Sequence, residues 1–236
     1  MSLTLLFRDE YLVAIDKPAG LLVHKSDIDR HETQFAVQLL RDQIGQHVYP
    51  IHRLDKGTSG ILLFALDAQT CAHVVNQFTE ASVTKHYTAI VRGWPTSPQH
   101  IDHPLTRIKD PYDKPREKCE VQSAQTDVRV LNKVSLPLPV DKYPEARYAL
   151  VEATPLTGRR HQIRRHLKHI AHPIIGDVRY GKGPHNRFFR EHLGIGRMLL
   201  ACTALQFQHP ITQQQIKLDC ELDSEFHQAF QTFGWD

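Results

Sequence analysis

The stretch HRLDKGTSGILLFAL, residues 52–66, places one carboxylate in a turn directly before a long apolar run. Residues 61–66 are uniformly apolar, a pattern typical of a short strand that is buried on both faces. The Gly, Thr and Ser residues before this run favour a turn. Asp55 lies in that turn between Arg53 and Lys56, and a nearby cation favours the ionised form of a carboxylate. The stretch therefore predicts a buried strand whose preceding turn presents a charged aspartate.

Short strands and helices are predicted on both sides of this stretch. Helices interspersed among strands, without regular βαβ units, predict an α+β fold with a largely antiparallel sheet. No Gly- or Ser-rich linker divides the chain, so we expect one compact unit over residues 1–236, with any division into two lobes inside it. The predicted strands are 11–16, 21–24, 61–66 and 85–93, a group within 119–156 and a pair within 199–220; the predicted helices are 31–45 and 67–83, the second capped by Asp67, and 94–118 is predicted to be mostly irregular.

Composition excludes several classes of protein. The chain has 236 residues, 41% hydrophobic and 23% charged, which is the balance of a globular protein rather than a disordered one. Its four cysteines, at positions 71, 119, 202 and 220, are too widely spaced for a metal-binding pair or a disulfide scaffold and predict reduced thiols. The start lacks the features of a signal peptide, and no stretch approaches the roughly 18 apolar residues of a membrane span. We therefore expect a cytoplasmic protein without membrane association.

Residues 157–182, TGRRHQIRRHLKHIAHPIIGDVRYGK, concentrate the positive charge of the chain around a single acid, Asp177. Like charges in a row repel each other unless an anion neutralises them, and either RNA phosphate or an internal carboxylate would do so. A solvated basic face is the third interpretation. A helix over this segment would have two adjacent rows: Ile163, Leu167 and Ile170 toward the core, and Arg160, Arg164 and Lys168 beside them.

Four histidines in the same segment raise the question of a metal site. His166 and His169 are three residues apart on the predicted helix, and zinc sites use closely spaced imidazoles. However, the segment has no H-E-x-x-H motif and no cysteine, and its arginines would repel a dication. The sequence therefore predicts no metal here. The four histidines are His161, His166, His169 and His172.

Asp55 itself has three interpretations. It is an ordinary turn aspartate that accepts backbone N–H bonds near Thr58 or Ser59, an aspartyl-phosphate nucleophile, or a carboxylate that acts at a glycosidic carbon. The order of residues is wrong for the known phosphoryl-transfer loops, and no phosphate-binding Gly-rich loop is present. Hydrolytic glycosidases use two carboxylates, whereas this motif has one carboxylate between two cations. A reaction at a sugar carbon that does not lose its base to water would fit.

Four segments in register resemble the RluA family of pseudouridine synthases. They are YLVAIDKPAGLLVH (11–24), HRLDKGTSGILLFA (52–65), KHYTAIVRG (85–93), and TGRRHQIRRHL with HPIIGDVRYG between 157 and 181. The resemblance spans most of the chain and is weakest over 94–150. It implies a pseudouridine synthase fold, with a mixed, mostly antiparallel central sheet, flanking helices and a catalytic cleft. It also implies isomerisation of uridine to pseudouridine in RNA, without cofactor or metal.

The resemblance assigns roles residue by residue. Asp55 matches the catalytic aspartate, which either attacks C1′ of the sugar or removes the 2′ proton, and Tyr87 matches the tyrosine that stacks on the uracil and assists deprotonation at C5. Arg164 matches the arginine that pairs with the aspartate, and Ile163 an apolar residue under the base. Arg53 matches an arginine associated with flipping out the target nucleotide. Further RNA contacts are expected from His52, Arg159, Arg160, Arg165 and Lys168.

The RNA substrate is the least determined part of the prediction. Residues 183–207, GPHNRFFREHLGIGRMLLACTALQF, resemble family members that modify uridine 65 of tRNA. The catalytic pattern begins at once, so no N-terminal S4-type RNA-binding domain is expected, and nothing implies an obligate protein partner. Arg160 and Arg165 depart from the wider family pattern and leave the substrate open. Ribosomal RNA or another tRNA site is the alternative, followed by a non-catalytic RNA-binding module and an aspartyl-phosphate enzyme.

Overall fold

A computed structural model describes residues 2–24, 32–108 and 120–235, and these contain twelve strands and five helices. Cys71, Cys202 and Cys220 are free thiols, as predicted, whereas Cys119 lies outside the described residues. The strands are β1 (Thr4–Arg8), β2 (Leu12–Lys17), β3 (Tyr49–Pro50), β4 (Ser59–Ala65), β5 (Thr84–Arg92), β6 (Gln99–Asp102), β7 (Leu105–Thr106), β8 (Val121–Gln122), β9 (Gln125–Leu136), β10 (Ala146–Pro155), β11 (Leu200–Gln208) and β12 (Gln215–Asp219). The helices are α1 (Ala36–Ile44), α2 (Ala68–Thr79), α3 (Gln162–His169), α4 (Gly183–Leu193) and α5 (Ser224–Phe233).

The described strands form one ten-stranded sheet and one separate pair, β7–β8. The large sheet has the order β1-β2-β4-β11-β5-β10-β9-β6, with β3 added at β4 and β12 added at β11. Its neighbours are antiparallel except for β4 and β11, which run parallel. This mixed, mostly antiparallel sheet with helices confirms the predicted α+β class.

Strand β4 occupies the centre of the sheet because its sequence is apolar on both faces. All seven of its residues are buried, and it pairs with β2 on one side and β11 on the other. Gly60 permits the contact with β11: its φ is +97°, and a Cβ atom there would lie 2.1 Å from the carbonyl oxygen of Cys202. The predicted strand 61–66 is confirmed, and the turn before it holds the predicted catalytic aspartate.

Helix α1 ends, and helix α2 begins, at residues that the sequence signals. The predicted helix over 31–45 is α1, which ends at Gly45 in the left-handed conformation, with φ of +69°. The predicted helix over 67–83 is α2, and the Asp67 carboxylate accepts a hydrogen bond from the backbone N–H of Thr70, 2.8 Å away. Both helices pack against the core that β2 and β4 share. Among the described residues, no helix is both long and apolar enough to cross a lipid bilayer.

The strand predicted at 21–24 is wrong. Leu21 and Val23 are buried, but the carbonyls of Leu22 and Val23 accept hydrogen bonds from the first backbone N–H groups of α1, at 2.8 and 3.1 Å. These carbonyls are therefore not available to a neighbouring strand. The partner of β2 is instead β1, which the sequence analysis did not identify.

Residues 94–118, predicted to be mostly irregular, contain two short strands. Strand β6 forms the edge of the sheet beside β9, and β7 pairs with β8. The strand β6 reads QHID, which has too little apolar character to indicate a strand by itself. The part of the predicted loop from 109 to 118 lies outside the described residues.

Candidate active site

Asp55 lies in the loop between β3 and β4, where several hydrogen bonds hold the backbone. Its carbonyl accepts the N–H of Thr58 at 3.0 Å, which forms the turn that the sequence predicts. The next carbonyl, of Lys56, accepts both the N–H of Gly20 at 2.7 Å and the buried ammonium of Lys17 at 3.3 Å. Lys17 also binds the carbonyls of residues 18 and 21, which ties the 18–21 turn to this loop. The backbone that carries Asp55 is thus held in place.

Arg164 is the cation in contact with Asp55. Its Nη1 donates to Asp55 Oδ2 at 2.7 Å, while its Nε and Nη2 donate to Asp177 Oδ2 and Oδ1 at 2.7 and 3.0 Å. Burial opposes the charge of the guanidinium, but the bonds to Asp177 and Asp55 outweigh this effect and raise the pKa of Arg164 above its ordinary value. Two carboxylates therefore share one permanently charged arginine.

Asp177 is a buried part of the site that sequence reasoning missed. Its side chain is inaccessible to solvent, and its Oδ1 also accepts the backbone N–H groups of Arg179 and Tyr180, both at 2.9 Å. Burial works against its ionised form, but the bonds from Arg164 and from these N–H groups hold its pKa below the usual value. Asp177 is the only acid in the basic segment 157–182, and this was the feature of the sequence that could have indicated its role.

His161 stands on the other side of the Asp55 carboxylate. Its Nε2 lies 3.7 Å from Asp55 Oδ1, and its Nδ1 lies 3.1 Å from the hydroxyl of Tyr180. The residue precedes α3 and has a left-handed backbone, with φ of +57°. Burial lowers the pKa of His161 to about 4, although Asp55 opposes that shift. The ring is therefore neutral near pH 7.

A cleft of about 650 Å³ opens at Asp55, as the predicted fold requires, and its size suits a nucleotide-sized ligand. Tyr87 lies on β5 and Ile163 on α3, and both side chains line the cleft together with Leu200 of β11. The cleft therefore combines an apolar wall, which a planar base would cover, with a carboxylate and an arginine.

The Tyr87 side chain is fixed from the neighbouring strand. Tyr87 and Cys202 are opposite each other where β5 pairs with β11, which places the two side chains on the same face of the sheet. Burial raises the pKa of Tyr87 well above its ordinary value, with Cys202 adding to the effect. A neutral phenol is a weak base, which suits the predicted stacking role better than the predicted help with deprotonation. Both roles stay predictions.

The predicted row of Arg160, Arg164 and Lys168 on one helix face is wrong. Helix α3 begins at Gln162, so Arg160 precedes it, and the Arg164 side chain is directed to the two internal carboxylates. The Lys168 side chain is exposed, with its ammonium 5.8 Å from the ring centre of Tyr180. Internal carboxylates thus account for the charge of Arg164, as the second interpretation of the segment expected.

Arg159 and Arg165, predicted to contact RNA, both bind the β7–β8 pair. Arg159 Nε donates to the carbonyl of Ser123 and Arg165 Nη1 to the carbonyl of Thr106, each at 3.0 Å. The ring of His103 stacks on His169 at 3.7 Å between ring centres, beside the same helix. These contacts connect the β7–β8 region, which forms one wall of the cleft, to α3 and to the residues just before it. RNA binding by these arginines stays a prediction.

The four histidines of the basic segment all contact other protein groups. His166 Nδ1 is 2.9 Å from Thr126 Oγ1, and His172 Nδ1 is 2.9 Å from the carbonyl oxygen of Arg92. His161 contacts Tyr180, and His169 stacks on His103. Over residues 2–24, 32–108 and 120–235, no group of three or more His, Cys, Asp or Glu side chains is arranged to hold a metal ion.

His52, another predicted RNA contact, has a structural partner. Its Nε2 accepts the backbone N–H of Leu63 at 3.1 Å, and its ring stacks on Phe78. Burial, with a contribution from Lys85, lowers the pKa of His52 to about 3, so the ring is neutral. His52 therefore supports β4 from within the motif, and its contact with RNA stays a prediction.

The expectation that Arg53 and Lys56 keep Asp55 charged needs correction. The Lys56 ammonium lies 2.8 Å from Glu32 Oε1, and the Arg53 side chain is exposed at the cleft. Arg164, from a distant part of the sequence, supplies the direct contact instead. The exposed position of Arg53 remains compatible with the role in nucleotide flipping that the resemblance implies.

Comparisons with known proteins agree with this fold. Residues 11–169 match the family model described as RNA pseudouridylate synthase, so the chain belongs to that family. This confirms the resemblance drawn from the four sequence segments. Two solved structures share the fold: human RNA Pseudouridylate Synthase Domain Containing 1, with TM-score 0.70, 25% identity and coverage of 94% of this chain and 84% of the other, and human RNA Pseudouridylate Synthase Domain Containing 4, with TM-score 0.72, 26% identity and coverage of 97% and 92%.

Curated relatives narrow the similarity further. The chain is 48% identical over 238 residues to tRNA pseudouridine synthase C of Vibrio cholerae, which covers 99% of this chain and 96% of the relative. It is 49% identical over 240 residues to the protein of the same name from Pasteurella multocida, with 100% and 98% covered. The similarity therefore extends over the whole length of both proteins, including residues 94–150.

Proposed function

We propose that this protein isomerises uridine to pseudouridine in tRNA, at uridine 65, with Asp55 as the catalytic carboxylate. The observation that carries the proposal is the position of Asp55, which is held by Arg164 at the wall of a nucleotide-sized cleft. Family membership supports the reaction, and relatives named tRNA pseudouridine synthase C support the class of RNA. The resemblance of residues 183–207 to family members that modify uridine 65 supports that uridine as the target.

The chemistry requires four bond changes at one nucleotide. The N1–C1′ bond breaks, a C5–C1′ bond forms, and the proton on C5 leaves while N1 gains one, so no redox partner is needed. Asp55 acts either on C1′ as a nucleophile or on the 2′ proton as a base. Because Arg164 occupies Oδ2, Oδ1 is the oxygen left for the sugar. Both of these roles require a carboxylate in its ionised form.

Arg164 and Asp177 give the Asp55 carboxylate a charged and oriented hydrogen-bond partner. In a cleft covered by substrate, a lone carboxylate would lose its hydration and tend to take up a proton. The guanidinium replaces that hydration with one short charge-assisted bond. Asp177 fixes the orientation of the guanidinium through two further bonds, so little reorganisation is needed when the substrate enters.

The uridine must leave the RNA stack to reach Asp55. Tyr87 and Ile163 offer it an apolar surface inside the cleft, and exposed Arg53 stands at the cleft where a flipped nucleotide would pass. Phosphates on either side would bind Arg160, just before α3, and Lys168, in its last turn. A role on tRNA would place the protein in the cytoplasm, with tRNA as its partner.

Release of tritium from 5-tritiated uridine tests the proposal, since C5 loses its proton only when the new bond forms. We expect the protein to release about one equivalent of tritium per unmodified tRNA and none from the same tRNA with cytidine at position 65. Release from the position-65 variant would mean another tRNA site, and release from ribosomal RNA alone would mean another substrate. No release from a folded, RNA-binding protein would favour the non-catalytic module. A chelator should have no effect, which distinguishes the reaction from an Mg²⁺-dependent phosphoryl transfer.

A further inference from the structure

We propose that His161 is a positioning residue for Asp55, and that Tyr180 sets the tautomer in which its Nε2–H faces the Asp55 carboxylate. The proposal rests on the proposed function, because it assigns a role in the same reaction. The sequence analysis considered His161 only as a metal ligand, and the resemblance gave it no role.

The first argument is geometric. Arg164 donates a hydrogen bond to Oδ2 of Asp55. The imidazole nitrogen Nε2 of His161 lies 3.7 Å from the other oxygen, Oδ1. That distance is too long for a hydrogen bond in the empty cleft, but a small rotation of the carboxylate closes it. Catalytic hydrogen bonds are often long before the substrate is bound. His161 therefore stands where it limits the movement of Oδ1 toward the sugar.

The second argument concerns the tautomer of the ring. A neutral imidazole has one N–H and one acceptor nitrogen. If Nδ1 carried the hydrogen, the lone pair of Nε2 would face a carboxylate and repel it. With the hydrogen on Nε2, Nδ1 accepts the Tyr180 hydroxyl 3.1 Å away, and both contacts of the ring are favourable. The surroundings therefore select the Nε2–H form.

The third argument is that the same buried carboxylate anchors both partners of Asp55. Asp177 binds the guanidinium of Arg164 and also the backbone N–H of Tyr180, at 2.9 Å. The Tyr180 ring in turn packs edge-on against His161, at 5.7 Å between ring centres. Asp177 thus orients Arg164 directly and His161 through Tyr180. The positive φ of His161 agrees with a backbone held in place for function.

Rates of a single turnover on tRNA separate this role from a structural one. We expect His161→Ala to lower the rate of tritium release at least about tenfold at saturating tRNA, with tRNA affinity unchanged. His161→Gln, whose amide nitrogen takes the place of Nε2, should recover most of the loss. Tyr180→Phe should lower the rate about fivefold, and His161→Ala/Tyr180→Phe should be no slower than His161→Ala, because the two residues act as one unit.

The matched control is His100→Ala. His100 also pairs with an aspartate, Asp127, with Nδ1 2.6 Å from Oδ1, but that pair is exposed and outside the cleft. Its removal should leave the rate unchanged. A wild-type rate for His161→Ala, a loss in His161→Gln as large as in His161→Ala, or independent effects of His161 and Tyr180 would overturn the proposal.

The tautomer can be measured without any RNA. We expect nitrogen NMR of ¹⁵N-histidine-labelled protein to show His161, assigned by its loss in His161→Gln, with the hydrogen on Nε2, and Tyr180→Phe to shift the Nδ1 signal. A hydrogen on Nδ1 would overturn the proposal. If the wild type released no tritium from any RNA, the proposed function would fail, while this spectrum would still decide the tautomer.

Discussion

Asp177 governs the charge balance of the site although it does not line the cleft. A buried arginine lies here between two buried or half-buried carboxylates, and each of the three charges has lost much of its contact with water. The arrangement is stable only while all three are present, because each charge is compensated by the others. The Asp55 carboxylate has no second cation of comparable proximity among the described residues. In the proposed reaction, Asp55 therefore depends on a residue that does not line the cleft.

Asp177→Asn tests this dependence. We expect the rate of tritium release to fall about a hundredfold, because Arg164 loses the carboxylate that orients it, and the free energy of unfolding to fall by about 3 kcal/mol. Single-turnover kinetics and urea unfolding measure the two effects. The control is Asp219→Asn, the same chemical change at an exposed surface pair with Lys217. Wild-type activity of Asp177→Asn would contradict the account.

At the residue scale, the sequence predicted the paired residues of the site better than the residues that position them. Asp55 and Arg164 were identified from their motifs, and the structure joins them by a 2.7 Å bond. The sequence did not identify Asp177 or Tyr180 as functional, and it did not place His161 beside Asp55. The contacts of these residues depend on where α3 begins and on the turn after it. Such positions are set by tertiary packing, which residue patterns alone do not specify.

At the element scale, β4 carries the site because it sits between β2 and β11. The apolar run made this strand predictable, and Gly60 makes its contact with β11 possible. The failed prediction at 21–24 has the opposite cause: the apolar pattern correctly indicated burial, but the start of α1 took the hydrogen bonds that a strand would have needed. Burial was therefore predictable where pairing was not.

Gly60→Ala tests the close approach of β4 and β11. The added Cβ would meet the Cys202 backbone, and the φ of +97° is unfavourable for alanine, so we expect the midpoint of thermal unfolding to fall by roughly 10 °C or more. Gly183→Ala, where a Cβ meets no atom within 4 Å, is the control and should leave the midpoint nearly unchanged. Equal midpoints for the two variants would contradict the packing described.

Gln162 joins α3 to the sheet and is the second element-scale test. Its amide is buried and makes four hydrogen bonds, among them Nε2 to the carbonyl of Gln125 at 2.8 Å and Oε1 to the N–H of Arg159 at 3.0 Å. Gln162→Ala leaves these partners unpaired, so we expect about 2–4 kcal/mol less stability in urea unfolding. Exposed Gln206→Ala should change stability by less than about 0.5 kcal/mol. A similar small change at Gln162 would show that its bonds do not secure α3.

At the scale of the whole molecule, neutral buried histidines link stability to pH. Burial lowers the pKa of His52 to about 3 and those of His161 and His185 to about 4, below the ordinary value of 6.5. The unfolded chain therefore binds protons at a higher pH than the folded chain does. The resulting stability is fully present above pH 6.5 and is lost as the pH falls toward 4 and 3.

The free energy of unfolding should accordingly be larger at pH 7.5 than at pH 5. Urea unfolding at a series of pH values measures this trend, and a His52→Gln variant should show a weaker dependence over the same range. The lowered pKa of Asp177 acts in the same direction, since its contribution is present above the unfolded pKa and is lost as the pH falls below it. Stability that stayed constant or rose toward pH 5 would contradict the buried neutral state of these rings.

The most direct test of the central claim compares the wild type with Asp55→Asn on unmodified tRNA carrying 5-tritiated uridine. The account predicts stoichiometric tritium release by the wild type and none by Asp55→Asn. The variant should still fold and bind the tRNA with similar affinity, because the substitution only replaces one charged carboxylate oxygen by an amide group. Asp219→Asn should behave as the wild type does. Tritium release by Asp55→Asn at a rate near that of the wild type would contradict the claim that the carboxylate held by Arg164 performs the reaction.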